Sequence, residues 1–75
     1  MENSLRSEKI QVERKQFFFD LKENQRGKFL KITEDVNGRR DAIILPIPGL
    51  PDFIRVLRSI EAECEGEWQP AGTRE

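Results

Sequence analysis

The segment from residue 17 to residue 32 constrains the fold more than any other part of this sequence. Apolar side chains alternate with other types at Phe17, Phe19 and Leu21, and a second apolar row follows at Leu30 and Ile32. A period of two is typical of a β-strand with one buried face. The polar connection between the two rows ends in Gly27, which is suited to a turn. We therefore expect a β-hairpin whose apolar rows pack on one core.

The opposite face of this hairpin carries two further aromatic rings, Phe18 and Phe29. They stand among basic side chains, Lys22 and Lys31 with Lys28 nearby. Rings offer stacking surfaces for bases and cations attract phosphates, so the pattern is typical of a sheet that binds single-stranded nucleic acid. A second protein surface, such as a dimer contact, would use the same rings. The pattern alone leaves the two functions equally open.

The length and the composition indicate one small domain that depends on a partner. A domain of 75 residues buries only about 60% of its unfolded-chain surface. The single cysteine, Cys64, excludes an intramolecular disulfide, and the absence of histidine leaves no Cys/His metal cluster. Oligomerisation is the remaining support for so small a scaffold. We expect an obligate homodimer without a metal or a cofactor.

The same features bear on location and on catalysis. No apolar run approaches the ~20 residues of a membrane span, and the N-terminus lacks a signal-peptide pattern. We expect a soluble, cytoplasmic protein, with association with the nucleoid as a second option. The chain has no histidine, no phosphate-cradling glycine loop and no base for its lone cysteine, so we expect no enzyme.

The charge is unevenly distributed along the chain. The net charge is −1, which by itself argues against a nucleic-acid binder. Residues 22–40, however, hold six basic and three acidic side chains, a net +3, whereas residues 61–75 hold five acidic and one basic, a net −4. The local field over the sheet, rather than the whole-chain charge, decides which partners are attracted.

The rest of the chain completes a ββββα order. Alternation predicts a first strand from residue 8 to 14, and the other strands are expected at about 16–23, 28–36 and 39–47. Asn37-Gly38 is a strong type I′ turn signal. Residues 42–45 are apolar on both faces, so we expect the helix and a partner to cover this strand.

A helix is predicted from about residue 50, because apolar residues recur there at steps of three and four. Its stripe extends to Cys64, which we expect to be packed and inert, and Gly66 is expected to end it. The predicted organisation is a flexible N-terminus over residues 1–6, one domain over 7–64, and an acidic, disordered tail over 65–75. The sequence offers no role for Trp68 in that tail.

Two blocks of this sequence resemble a repeat of the purine-rich-element binding (PUR) family. The first is Phe-Phe-Phe-Asp-Leu at residues 17–21 with Lys-Glu-Asn-Gln-Arg-Gly-Lys-Phe-Leu-Lys-Ile at residues 22–32. The second is Ala-Ile-Ile-Leu-Pro at residues 42–46, followed by Gly49, Leu50 and Phe53. The resemblance covers about residues 5–62.

The resemblance implies an α+β fold, a single ββββα PUR repeat with a four-stranded antiparallel sheet and a C-terminal helix. Two such repeats intertwine in a Whirly-like arrangement, with each helix packed across the other's sheet, so one repeat implies a homodimer. It also implies binding of single-stranded DNA or RNA with a preference for purine-rich, guanine-containing strands. A protein-interaction module that uses the same sheet face is the competing hypothesis.

The family's contact motif is matched residue by residue. Lys22, Asn24 and Arg26 fill its positions at the end of the second strand, and Phe29 fills its aromatic position on the third. Phe18 either extends the stacking surface or meets the partner chain. The further candidates for contacts with the nucleic-acid backbone are basic side chains, namely Lys28, Lys31, Arg39 and Arg40.

Overall fold

The structure is a computed structural model, and it describes residues 2–65. Four antiparallel strands are followed by one helix, which confirms the predicted ββββα order. The elements are β1 (Asn3–Val12), β2 (Lys15–Asn24), β3 (Gly27–Val36), β4 (Arg39–Pro46), a 3-10 turn (Ile47–Gly49) and α1 (Leu50–Glu63). No helix within residues 2–65 is long and apolar enough to cross a membrane.

The four strands form a meander in the order β1-β2-β3-β4, joined by two-residue turns. Asn37 and Gly38 have φ angles of 55° and 86°, as the type I′ prediction requires. The turn between β1 and β2 lacks such residues, yet Glu13 has a φ of 57°. A left-handed backbone costs a residue with a Cβ about 1–2 kcal/mol. Strand pairing on both sides of Glu13 must offset that cost.

The N-terminal boundary differs from the prediction. Strand β1 begins at Asn3 rather than at residue 8, so residues 3–6, predicted to be flexible, pair with the end of β2. A register shift between Ser4 and Arg6 interrupts the pairing there. Such an irregularity breaks the period-two pattern, and the polar composition of these residues carries no strand signal. The predicted tail, including Gly66 and Trp68, lies outside the described residues apart from residue 65.

The alternation of side chains divides the sheet into two chemically different faces. The register pairs Phe19 with Ile32 and Leu21 with Leu30, which confirms that the two predicted apolar rows share a face. We call this side the apolar face. The same alternation adds further apolar residues from all four strands to this face: Ile10, Val12, Phe17, Val36, Ile43 and Leu45.

The helix does not cover this face of its own chain. All of its residues from Pro51 onwards are exposed, and Leu57 keeps 61% of its surface. The 3-10 turn follows β4 directly and contains Pro48, so the connection is too short and stiff to fold the helix back. The expectation that the helix covers β4 is therefore wrong within one chain, where Ile43 and Ile44 remain 53% and 58% exposed.

The consequence is a chain with hardly any core of its own. Among residues 2–65, only Leu45 and Thr33 are buried. The radius of gyration is 14.6 Å, whereas a compact domain of this length has about 11 Å. Cys64, expected to be packed, is exposed at the C-terminal end of α1. Two apolar surfaces, the apolar face and the helix stripe, thus stay open to solvent.

Candidate nucleic-acid interface

The face opposite the apolar one carries the rings and cations that the sequence analysis selected. Phe18, Asp20 and Lys22 of β2 point to this side, and their partners on β3 are Thr33, Lys31 and Phe29. Lys9 of β1 and Arg40 of β4 lie on the same side. We call this the aromatic–basic face. The prediction that Phe18, Phe29, Lys22 and Lys31 share one face is confirmed by the register.

Phe18 lies between two cations. The Nζ of Lys9 is 5.8 Å from the centre of the ring, and the guanidinium carbon of Arg40 is 5.2 Å from it. Each cation–π contact contributes about 0.5–1 kcal/mol at an exposed site. These contacts orient the ring and hold two positive charges at the middle of the face.

Lys9 is a member of this face that the sequence analysis missed. It reaches Phe18 because the tight turn at residues 13–14 sets the register in which the two residues are opposite each other. That turn contains no glycine, proline or asparagine. The sequence therefore contains no signal for the register between the first two strands, and alternation along β1 alone could not pair Lys9 with Phe18.

Phe29 differs from Phe18 in that its ring is not occupied by a cation within residues 2–65. It is half-buried, with Lys22 opposite it on β2 and Pro46 opposite it on β4. Ile44, 58% exposed, lies on the same face next to Lys31. This end of the aromatic–basic face therefore offers a flat apolar surface bordered by lysines.

Two cations of the face are in ion pairs. The Nζ of Lys22 lies 3.5 Å from a carboxylate oxygen of Glu2, and Arg40 donates to Asp35 at 2.8 Å. One side chain of each pair is largely covered, with Lys22 22% and Asp35 16% exposed, while its partner is more than half exposed. Lys31 has no ion pair within residues 2–65. A phosphate must therefore displace a carboxylate at Lys22 and Arg40 but not at Lys31.

Asn24 and Arg26 lie at the hairpin between β2 and β3. The Oδ1 of Asn24 accepts a hydrogen bond of 2.8 Å from the backbone N–H of Arg26, which closes an Asx turn. Asn24 thus has the structural role that turn residues have, while its amide N–H groups stay available as donors. Arg26 is exposed at the tip of the turn.

Two predicted contact residues do not join this face. Lys28 is opposite Glu23, and Arg39 is opposite Val36, which places both on the apolar side of the sheet. Lys28 lines a groove there with Phe19, Leu21 and Leu30. Neighbouring residues of a strand point to opposite faces. Lys28 and Arg39, which directly precede Phe29 and Arg40, therefore point away from the face of those two residues.

No group of three metal-ligating side chains occurs within the part of the chain that the structure describes. The aromatic rings, cations and hydrogen-bond donors of the aromatic–basic face can stack bases, neutralise phosphates and contact base edges.

Comparisons with known proteins agree with this chemistry. Residues 1–70 match the family model described as "PurA ssDNA and RNA-binding protein". The human transcriptional regulator protein Pur-beta is 50% identical over 85% of this chain and 25% of its own length. The human transcriptional activator protein Pur-alpha is 36% identical over 91% of this chain and 23% of its own length. Transcription factor Pur-alpha 1 of Arabidopsis thaliana is 50% identical over 64% of this chain and 16% of its length.

The chain therefore spans between about a sixth and a quarter of the length of these curated relatives. The family model covers nearly all of the chain, including every strand and the helix. The chain belongs to the PurA family of single-stranded DNA- and RNA-binding proteins.

Proposed function

We propose that this chain binds purine-rich, guanine-containing single strands of DNA or RNA through the aromatic–basic face and acts as a homodimer. The observation that carries the proposal is the grouping of Phe18 and Phe29 with Lys9, Lys31 and Arg40 on one side of the sheet. We further propose a role in transcription regulation, in keeping with the names of the relatives. The proposed function is binding, without a catalytic step or a cofactor.

The two rings have different proposed roles. Phe29 carries no cation over its ring, so a base can stack on it directly, which contributes about 1–3 kcal/mol per base. Phe18 is already flanked by Lys9 and Arg40. It holds these cations where phosphates pass, and a base that displaces one of them can use its ring.

The hairpin tip extends the site beyond the sheet. Arg26 is exposed there and can make a planar, bidentate contact with a phosphate or with the O6 and N7 atoms of guanine. Asn24 keeps its amide donors while its carbonyl oxygen stabilises the turn. The proposed sequence preference originates at this tip and over Phe29.

The homodimer follows from the two uncovered apolar surfaces. Phe53, Ile54, Leu57 and Ile60 of α1 are between 42% and 61% exposed. Within residues 2–65, α1 leaves the apolar face of the sheet largely uncovered, with Ile10, Val12 and Ile43 at least half exposed. A second copy supplies both missing halves at once if each helix packs across the other chain's apolar face. That arrangement leaves both aromatic–basic faces free for nucleic acid.

Replacing the ring of Phe29 tests the stacking surface. We expect Phe29→Ala to weaken binding of a purine-rich oligonucleotide by roughly five- to a hundredfold, because a lost stack corresponds to about 1–3 kcal/mol. Phe29→Leu keeps an apolar side chain but removes the π-face, so its loss should be similar. Fluorescence anisotropy measures the affinity and circular dichroism the melting temperature. Equal binding by all three proteins would contradict the stacking role, and unfolding of Phe29→Leu would show that the ring is structural.

Two lysines of β3 that point to opposite faces test which side binds phosphates. Binding of a single strand gives a slope of about −0.7 per neutralised phosphate in log K against log salt. We expect Lys31→Ala to reduce the steepness of this slope by about 0.7 for each phosphate lost, whereas Lys28→Ala leaves it unchanged. A larger effect at Lys28 contradicts the assignment of faces. No oligonucleotide binding at low salt, or a shallow slope for the unmodified protein, favours the protein-interaction module instead.

A charge placed on the helix stripe tests the homodimer. Leu57 is 61% exposed on the stripe, while Ser59 is exposed on the opposite side of α1. We expect Leu57→Glu to dissociate the dimer or unfold it, because a carboxylate would be buried without a partner. Ser59→Glu, with the same charge, should stay dimeric and folded. Sedimentation equilibrium with circular dichroism distinguishes these states, and a folded dimeric Leu57→Glu protein refutes the proposed packing.

A further inference from the structure

The aromatic–basic face contains one carboxylate that no cation neutralises within residues 2–65. Asp20 lies between Phe18 and Lys22 along β2 and is opposite Lys31 in the register. The two other carboxylates of this side are in ion pairs, Glu2 with Lys22 and Asp35 with Arg40. No cation lies within ion-pair distance of Asp20 in that part of the chain.

Asp20 is held in place by the neighbouring strand. The hydroxyl of Ser7 on β1 donates a hydrogen bond of 2.6 Å to its Oδ1. Each carboxylate oxygen can accept two hydrogen bonds, so Oδ1 has one acceptor position left. No protein group of residues 2–65 donates to Oδ2. The carboxylate is therefore oriented and open on its second oxygen.

An unneutralised carboxylate lowers the affinity of a phosphate-binding face. Two like charges 4 Å apart repel by about 1 kcal/mol even in bulk water. A favourable contribution of Asp20 to binding requires donors on the ligand, and on single-stranded DNA those donors are on base edges, to which RNA adds the 2′-hydroxyl. Asp20 is a diagonal neighbour of Phe29, and such pairs lie about 7–8 Å apart. A base stacked on Phe29 brings its edge within reach of this carboxylate.

Base chemistry selects one base for this acceptor. Guanine has two adjacent donors on its Watson–Crick edge, N1–H and the N2 amine, and these match the two oxygens of a carboxylate. Adenine and cytosine place a ring-nitrogen acceptor next to their amine, and that lone pair repels the carboxylate. Thymine and uracil have a single N–H between two carbonyl oxygens. Only guanine therefore gives a bidentate contact with Asp20.

We infer that Asp20, positioned by Ser7, is a specificity-determining residue that reads the Watson–Crick edge of a guanine stacked on Phe29. The inference rests on the proposed function, since it needs a single strand on the aromatic–basic face. It assigns base selection to an acidic side chain in the middle of the sheet, in addition to the basic tip of the hairpin.

Base analogues test the inference without any mutation. The probe is an adenine-rich DNA strand with isolated guanines, spaced so that quadruplexes do not form. A good bidentate contact discriminates by about 1–3 kcal/mol, so replacing each guanine by adenine should weaken binding by roughly tenfold or more. Inosine, which lacks the N2 amine, should lose part of this affinity, while 7-deazaguanine should bind like guanine. Loss with 7-deazaguanine but not with inosine means that the other edge is read, which overturns the inference.

Substitutions of Asp20, of its hydrogen-bond donor Ser7 and of a control carboxylate give a second test of the inference. We expect Asp20→Asn to bring the ratio of guanine-strand to adenine-strand affinity close to one, with an unchanged salt slope. Ser7→Ala, which keeps the carboxylate but frees it, should reduce the ratio only in part. Glu23→Gln, the same change on the apolar side of β2, is the control and should keep the ratio. Circular dichroism confirms folding of each protein.

The outcomes separate the inference from the proposed function. Equal weakening of all strands by Asp20→Asn assigns Asp20 a structural role with Ser7 and overturns the inference. A full guanine preference in Asp20→Asn does so too. In both cases salt-dependent binding by the unmodified protein leaves the proposed function intact. Failure of the unmodified protein to bind any strand overturns the proposed function itself.

Discussion

The burial of the apolar face is the interaction on which the rest of this structure depends. A four-stranded antiparallel meander with one apolar side needs a cover, and a short turn with a proline directs the only helix of the described chain away from it. The helix in turn exposes its own stripe. Residues 2–65 bury little of their apolar surface, which favours a cover from outside this part of the chain. The proposed pairing with a second copy would resolve both exposures.

The proposed cover of the apolar face by a partner leaves the opposite face free to bind a ligand. The aromatic–basic face is part of the same strands, so it shares the rigidity of the paired sheet, and Thr33, one of the two buried residues among residues 2–65, lies on it. Lys9 and Arg40 come from the two edge strands and meet over Phe18 of β2. The resulting surface is preorganised, and a strand that binds it does not have to order loops first.

The sequence predicted the parts of this fold that follow from periodicity and from turn chemistry. The alternation at Phe17, Phe19 and Leu21 and the Asn37-Gly38 turn identified the strands and the orientation of their faces. Family resemblance added the expectation that each helix packs on a partner's sheet, which stays a proposal. The sequence did not predict the features that depend on strand register and on pairing between strands. The polar start of β1 has no strand signal, and the turn at Glu13 has no turn residue.

The candidate site shows the same division. Phe18, Phe29, Lys22 and Lys31 could be assigned to one side because strand parity places them there. Lys28 and Arg39 were selected because they are basic and lie next to Phe29 and Arg40 in the sequence. The alternation of side chains along β3 and β4 places both on the apolar face. The pairing of Lys9 with Phe18 and the isolation of Asp20 depend on contacts between strands, which a pattern along one strand does not contain.

Ile43 and Ile44 provide the most direct test of a sheet with two separate functions. They are neighbours on β4, similarly exposed in the single chain at 53% and 58%, but they point to the apolar face and the aromatic–basic face respectively. Their methyl NMR signals can be followed while a purine-rich single strand is added. We expect the Ile44 methyl signal to shift and the Ile43 methyl signal, covered by the proposed partner helix, to stay unchanged. A shift at Ile43 that equals or exceeds the shift at Ile44 would contradict this assignment of functions to the two faces.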